Sequence, residues 1–143
     1  MKKLLVLLCV LGLLSGCVVP FRTPPDLAHI RLSAVSSTQV GVDKLWLQRA
    51  DDGSLHLHGY VIRRIRAEDT TTTHLDVLIH DASGREIARE KVAFTPAQLP
   101  VRQRMRGVGE FEVRINSIPA SISQIEVRAH EVGPKQVTPS NHE

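Results

Sequence analysis

Cysteine is nearly absent. The 143-residue chain has two, Cys9 and Cys17, both close to its start. No thiol remains downstream to form a disulfide or serve as a nucleophile, so the folded part must be held by its core. Aromatic side chains are scarce too, at 3% of the chain: Phe21, Trp46, Tyr60, Phe94 and Phe111. Surfaces that stack sugars or single-stranded bases use such rings as platforms, and at least two or three of these five are needed inside. No glycine-rich phosphate loop occurs, no serine sits in a nucleophile elbow, and no paired carboxylates occupy a recognisable catalytic setting. The chain is therefore expected to be no enzyme, to need no cofactor and to bind no nucleic acid. A helical period of 3.6 residues is also missing over any useful length.

What is present begins at the N-terminus. Lys2 and Lys3 precede an apolar run over residues 4–14. A basic start and roughly ten apolar residues make an export signal, too short to span a bilayer as a permanent helix. The residues that follow, Leu14-Ser15-Gly16-Cys17, resemble the lipobox of bacterial lipoproteins: an aliphatic residue, two small ones, then cysteine. That resemblance implies removal of residues 1–16 by cleavage between Gly16 and Cys17, with acyl chains on Cys17. Two or three chains, at about 0.8 kcal/mol per buried methylene, anchor far better than one. Val18 stands where an aspartate would retain such a lipoprotein in the inner membrane, so the resemblance further implies the outer membrane, on its periplasmic side. Loss of Lys2 and Lys3 leaves 16 basic against 15 acidic side chains. A nearly neutral mature protein has no general attraction to polyanions.

Residues 17–39 read as the lipidated N-terminus and a flexible tether, with Pro20, Pro24 and Pro25 and then Ser36-Ser37-Thr38-Gln39. Asp26 is a candidate cap for a short helix from Leu27 to Leu32, with Leu27 and Ile30 on one side. From Val40 the period is two. Leu55, Leu57, Gly59 and Val61 share one face, as do Leu75, Val77 and Ile79, then Phe111, Val113 and Ile115, and finally Ile125, Val127 and Ala129. An irregularity is expected at Asp43-Lys44, and turns at Asp51-Asp52-Gly53-Ser54 and Asp81-Ala82-Ser83-Gly84, with glycine where positive φ is required. The stretch from Arg85 to Phe94 carries Arg89, Glu90 and Lys91, as an edge strand does. The expectation is all-β: one small antiparallel sandwich of about six to seven strands over 40–131, then a disordered tail over 132–143. An open barrel is the rival. The layout resembles immunoglobulin-like and fibronectin-type-III-like domains of exported bacterial proteins, a likeness of architecture that names no function.

Two groups of side chains could carry chemistry. His56, His58, His74, Asp76 and His80 all fall on outward faces, with His130 outward on the last strand. Strand neighbours two apart project the same way about 7 Å apart, so pairing of the two stretches would assemble a surface site for Zn²⁺ or Cu²⁺. In the usual sandwich order those stretches lie in different sheets. Arg63, Arg64, Arg66, Arg102, Arg104 and Arg106 are candidates for anion binding, since guanidinium forks suit phosphate and carboxylate. The leading functional expectation is a non-catalytic binding or structural module, tethered to the membrane through its lipid and contacting an envelope protein, lipopolysaccharide or peptidoglycan. The alternative is a periplasmic metal-binding protein using the histidine face.

Overall fold

The computed structural model describes residues 22–101, 107–116 and 121–132. Residues 1–16, Cys17 and the tail over 133–143 lie outside them. Seven strands are present among the described residues: β1 (Arg31–Val35), β2 (Val40–Arg49), β3 (Leu55–Arg63), β4 (Thr73–Asp81), β5 (Glu86–Val92), β6 (Val108–Ile115) and β7 (Ile122–Glu131). The fold is an all-β sandwich. One sheet has the order β1-β7-β4-β5 and the other β2-β3-β6. Every second residue of β3 is buried, from Leu55 to Arg63, and β6 alternates in the same way from Gly109 to Ile115. Those inward faces meet Leu75, Val77, Ile125 and Val127 of the larger sheet to make one continuous core. Burial of each such side chain contributes about 1.5–3 kcal/mol relative to exposure.

Local chemistry sets the registers. Lys44 has φ 46°, and the β2–β3 ladder shifts between Asp43 and Leu45, so a bulge lies where the irregularity was expected. The bulge re-aims the strand so that both Val40 and Leu47 reach the core. Gly53 (φ 82°) and Gly84 (φ 81°) turn β2 into β3 and β4 into β5, a conformation with no steric cost for glycine alone. At each turn an aspartate oxygen, from Asp52 or Asp81, accepts both the amide and the hydroxyl of the serine two residues on. The charged strand β5 is an edge, as its residues indicate.

Two expectations need correction. The sandwich does not begin at Val40. Residues read as tether supply β1, which pairs in parallel with β7 from Arg31 opposite Gln124 to Val35 opposite Arg128. Leu27 (2% exposed) and Ile30 (5%) are core residues, and the Leu47 amide donates to Thr23 Oγ1 (3.1 Å). The helix expected after Asp26 is a single 3₁₀ turn, Pro25–Leu27, without a side-chain cap. Asp26 instead pairs with Arg49 (3.2 Å). The expected sandwich architecture is present, with β2, β3 and β6 in one sheet and β7, β4 and β5 in the other, where β1 is added beside β7.

The two ends of the sandwich are distinct. The β2–β3 and β4–β5 turns lie at one end, with Thr23 beside Leu47. The segment joining β3 to β4, and the described part of that joining β5 to β6, lie at the other. Among the described residues no helix is long and apolar enough to cross a membrane.

Candidate functional site

The five outward residues read as one metal-site candidate fall into two groups. His56 and His58 project from β3, whose neighbours are β2 and β6, while His74, Asp76 and His80 project from β4, flanked by β7 and β5. The two strands belong to different layers, and their outer faces point to opposite sides of the molecule. The sandwich order fixes that separation.

On the smaller sheet the histidines gain a partner that sequence reasoning missed. Glu112 of β6 stands directly opposite His58. Its Oε1 lies 2.5 Å from His56 Nδ1 and its Oε2 4.0 Å from His58 Nδ1. The nearest donor atoms of these three side chains lie within 4.8 Å of one another. Trp46 of β2 stands opposite His58 on the other side, and the rings stack at 5.3 Å between centroids and 11° between planes. Tyr60 follows at 5.4 Å from Trp46. Two of the five aromatics therefore line an outer face, and Phe94 and Phe111 are buried. Gln48 and Ala50 complete a shallow groove of about 280 Å³ around His56, His58 and Glu112. Burial holds the His58 imidazole below the ordinary histidine value; Glu112 opposes this and His56 adds to it. The bond to His56 chiefly holds Glu112 below the usual carboxylate range. Two imidazoles and a carboxylate form a donor set suited to borderline divalent metals. The alternation of Phe111, Val113 and Ile115 already turns Glu112 outward. The pairing of β6 with β3 is the information that brings it to the histidines.

The opposite face is organised differently. His74 Nε2 approaches Asp76 Oδ1 at 3.4 Å, and His130 stands opposite on β7 with ring centroids 5.1 Å apart. His80 contacts the Gly84 carbonyl (3.3 Å) within its own turn. Burial depresses the His74 pKa, Lys91 and His130 add to the depression, and Asp76 opposes it. A histidine whose folded value lies below 6.5 binds fewer protons than in the unfolded chain, so its contribution is intact above about pH 6.5 and lost as pH falls toward the folded value. The depressed carboxylates, Asp81 and Glu86 among them, act only below their ordinary range near pH 4. Urea midpoints are therefore expected to fall between pH 7.5 and 5.5, and to fall less in a His58→Asn/His74→Asn double variant. An equal fall in both proteins would contradict this origin.

The arginine candidates also separate. Arg63 is 8% exposed, and its guanidinium is spent on backbone carbonyls. Its Nη1 donates to the Leu99 carbonyl (2.8 Å), and its Nη2 donates to those of Ala67 (2.5 Å) and Glu68 (2.8 Å). This corrects its reading as an anion ligand: it continues the inward face of Leu55, Leu57, Gly59 and Val61, and it supplies donors to the carbonyls of buried Ala67 and Leu99 as well as to that of exposed Glu68. Thr70 performs the matching task. Its Oγ1 donates to the Ala97 carbonyl and accepts from the Leu99 amide, both at 2.8 Å. Arg64 and Arg66 are exposed beside Ile65 (87% exposed) on a groove of about 670 Å³ shared with Thr38 and Ile62. Arg102, Arg104 and Arg106 lie outside the described residues.

Set against protein-family models, curated proteins and solved structures, the chain matches none of them. Its chemistry must be read from its own side chains.

Proposed function

We propose that this protein is a lipid-anchored, non-catalytic binding module of the bacterial outer membrane, displayed on the periplasmic side. The observation that carries the reading is Leu14-Ser15-Gly16-Cys17 placed only six residues before Thr23, where the chain is already bonded into the sandwich. Six extended residues span about 20 Å at most. A lipid on Cys17 would thus keep the domain against the bilayer, with the β2–β3 turn toward the membrane and the Arg64-Ile65-Arg66 end toward the periplasm. That far end offers two exposed guanidinium groups around an exposed apolar side chain, a surface suited to an acidic envelope protein or to peptidoglycan carboxylates. Lipid attachment confines the module to a thin layer, raising its effective concentration for such a partner.

Cys17→Ser tests the anchor. Metabolic labelling with a fatty-acid probe, followed by membrane fractionation, is expected to find wild type labelled and in the outer membrane. The variant is expected to be unlabelled and lost from that fraction. Equal labelling of the two proteins would overturn the reading.

A further inference from the structure

We propose that His56, His58 and Glu112 bind a divalent transition-metal ion, Zn²⁺ or Cu²⁺, on the outer face of the three-stranded sheet. The inference stands independently of lipid attachment.

Three donors converge on this face. His56 Nδ1 lies 2.5 Å from Glu112 Oε1, and His58 Nδ1 lies 4.0 Å from the other oxygen of the same carboxylate. One donor atom from each of the three residues lies within 4.8 Å of the other two. A hydrogen bond between His56 and Glu112 accounts for the first contact alone. A second imidazole turned to the same carboxylate is the arrangement that a shared cation uses.

The geometry lies close to a coordination set. Ligands about 2.0–2.1 Å from a tetrahedral centre are about 3.3 Å apart. The two observed separations, 2.5 Å to one carboxylate oxygen and 4.0 Å to the other, straddle that value, so coordination needs a swing of the Glu112 carboxylate within a set whose donors lie within 4.8 Å. Glu112 has the freedom to make it, its side chain being 55% exposed. The histidines are fixed more firmly, His56 through Ser54 and Asp52, and His58 by its stack on Trp46. Such outer contacts orient metal-bound imidazoles generally. Arg114, opposite His56 on β6, is paired with Asp52 and so does not offset the carboxylate. Three protein donors leave the remaining positions open toward Gln48 and Ala50, for water or for a donor from a partner. Nitrogen-rich donor sets favour Cu²⁺ and Zn²⁺ over the oxygen-seeking Ca²⁺ and Mg²⁺.

The test uses the full chain as it is purified from membranes or the soluble fraction, stripped with EDTA. It is titrated with ZnCl₂ by calorimetry and with CuCl₂ by fluorescence of Trp46, the chain's single tryptophan. The expected result is one saturable equivalent of each metal, with Trp46 emission quenched by Cu²⁺, and no comparable binding of CaCl₂ or MgCl₂. His56→Asn, His58→Asn and Glu112→Gln should each weaken affinity at least tenfold, because outer-sphere changes alone cost about 10–100-fold. His74→Asn and His130→Asn should match wild type. No saturable binding by wild type would overturn the proposal. So would Ca²⁺ binding as tightly as Zn²⁺, equal affinity in the three site variants, or loss confined to the His74 and His130 variants.

Discussion

A chain that starts at Val40 is expected to unfold at a much lower urea concentration than one that starts at Arg22, with a loss of about 3–6 kcal/mol. The missing segment buries Leu27 and Ile30, each contributing about 1.5–3 kcal/mol. It also carries the Thr23 oxygen that accepts from Leu47, the Asp26 partner of Arg49, and all of β1. Its removal opens one end of the core to water and turns β7, an interior strand, into an unprotected edge. Small domains have total stabilities of about 5–15 kcal/mol, so the shortened chain should approach the limit of cooperative folding. Equal midpoints for the two chains would show that β1 and its approach are ornamental.

Arg63→Met is expected to cost about 3–5 kcal/mol, although methionine preserves most of the apolar stem. Three carbonyls, those of Leu99, Ala67 and Glu68, lose their donor together. Each stranded buried acceptor costs about 1–3 kcal/mol, reduced where water can enter. The Arg63 amide also donates to the Gly107 carbonyl (2.8 Å), so one residue ties three separate stretches of chain at this end. Arg64→Met and Arg66→Met supply the comparison. Their side chains are exposed, and changes there should stay within about 0.5 kcal/mol. Urea melts of the three variants decide the matter, and an Arg63 variant as stable as the other two would refute the structural role.

These residues show what was legible in the sequence and what was not. Alternation located β3, β4, β6 and β7 and identified most of their inward residues, because period two holds through β3 and β6 and is broken only at buried Leu78 of β4 and between Ile122 and Ile125 of β7. Carried two residues beyond Val61, the same alternation puts Arg63 on the inward side, a step that its reading as an anion ligand did not take. Its charge, together with Arg64 and Arg66, suggested a solvent cluster, and only the facing loop carbonyls reveal why a guanidinium is tolerated inside. Leu27 to Val35 carries no such signal. β1 is a short edge strand whose burial pattern is irregular, so local periodicity had nothing to detect. The histidine face was half legible. His56 and His58 lie on one strand, two apart, and any reading of β3 pairs them. Glu112 lies more than fifty residues away in the chain, and its approach depends on β6 choosing β3 as neighbour, a long-range pairing that no local pattern encodes. The same topology carries His74, Asp76 and His80 to the far side.

The parallel ladder between β1 and β7 also has a mechanical consequence. The chain enters β1 from the end where the membrane anchor would attach, and leaves β7 at the opposite end. A pull between that anchor and a partner gripping the far side near Glu131 therefore runs along the two strands, in opposite directions on each. Tension of that kind shears the ladder: its hydrogen bonds share the force and must yield together. The same bonds pulled crosswise would open one at a time from an end, at much lower force. Were Cys17 lipidated as proposed, strand direction would make the β1–β7 ladder the strain-bearing coupling between bilayer and domain.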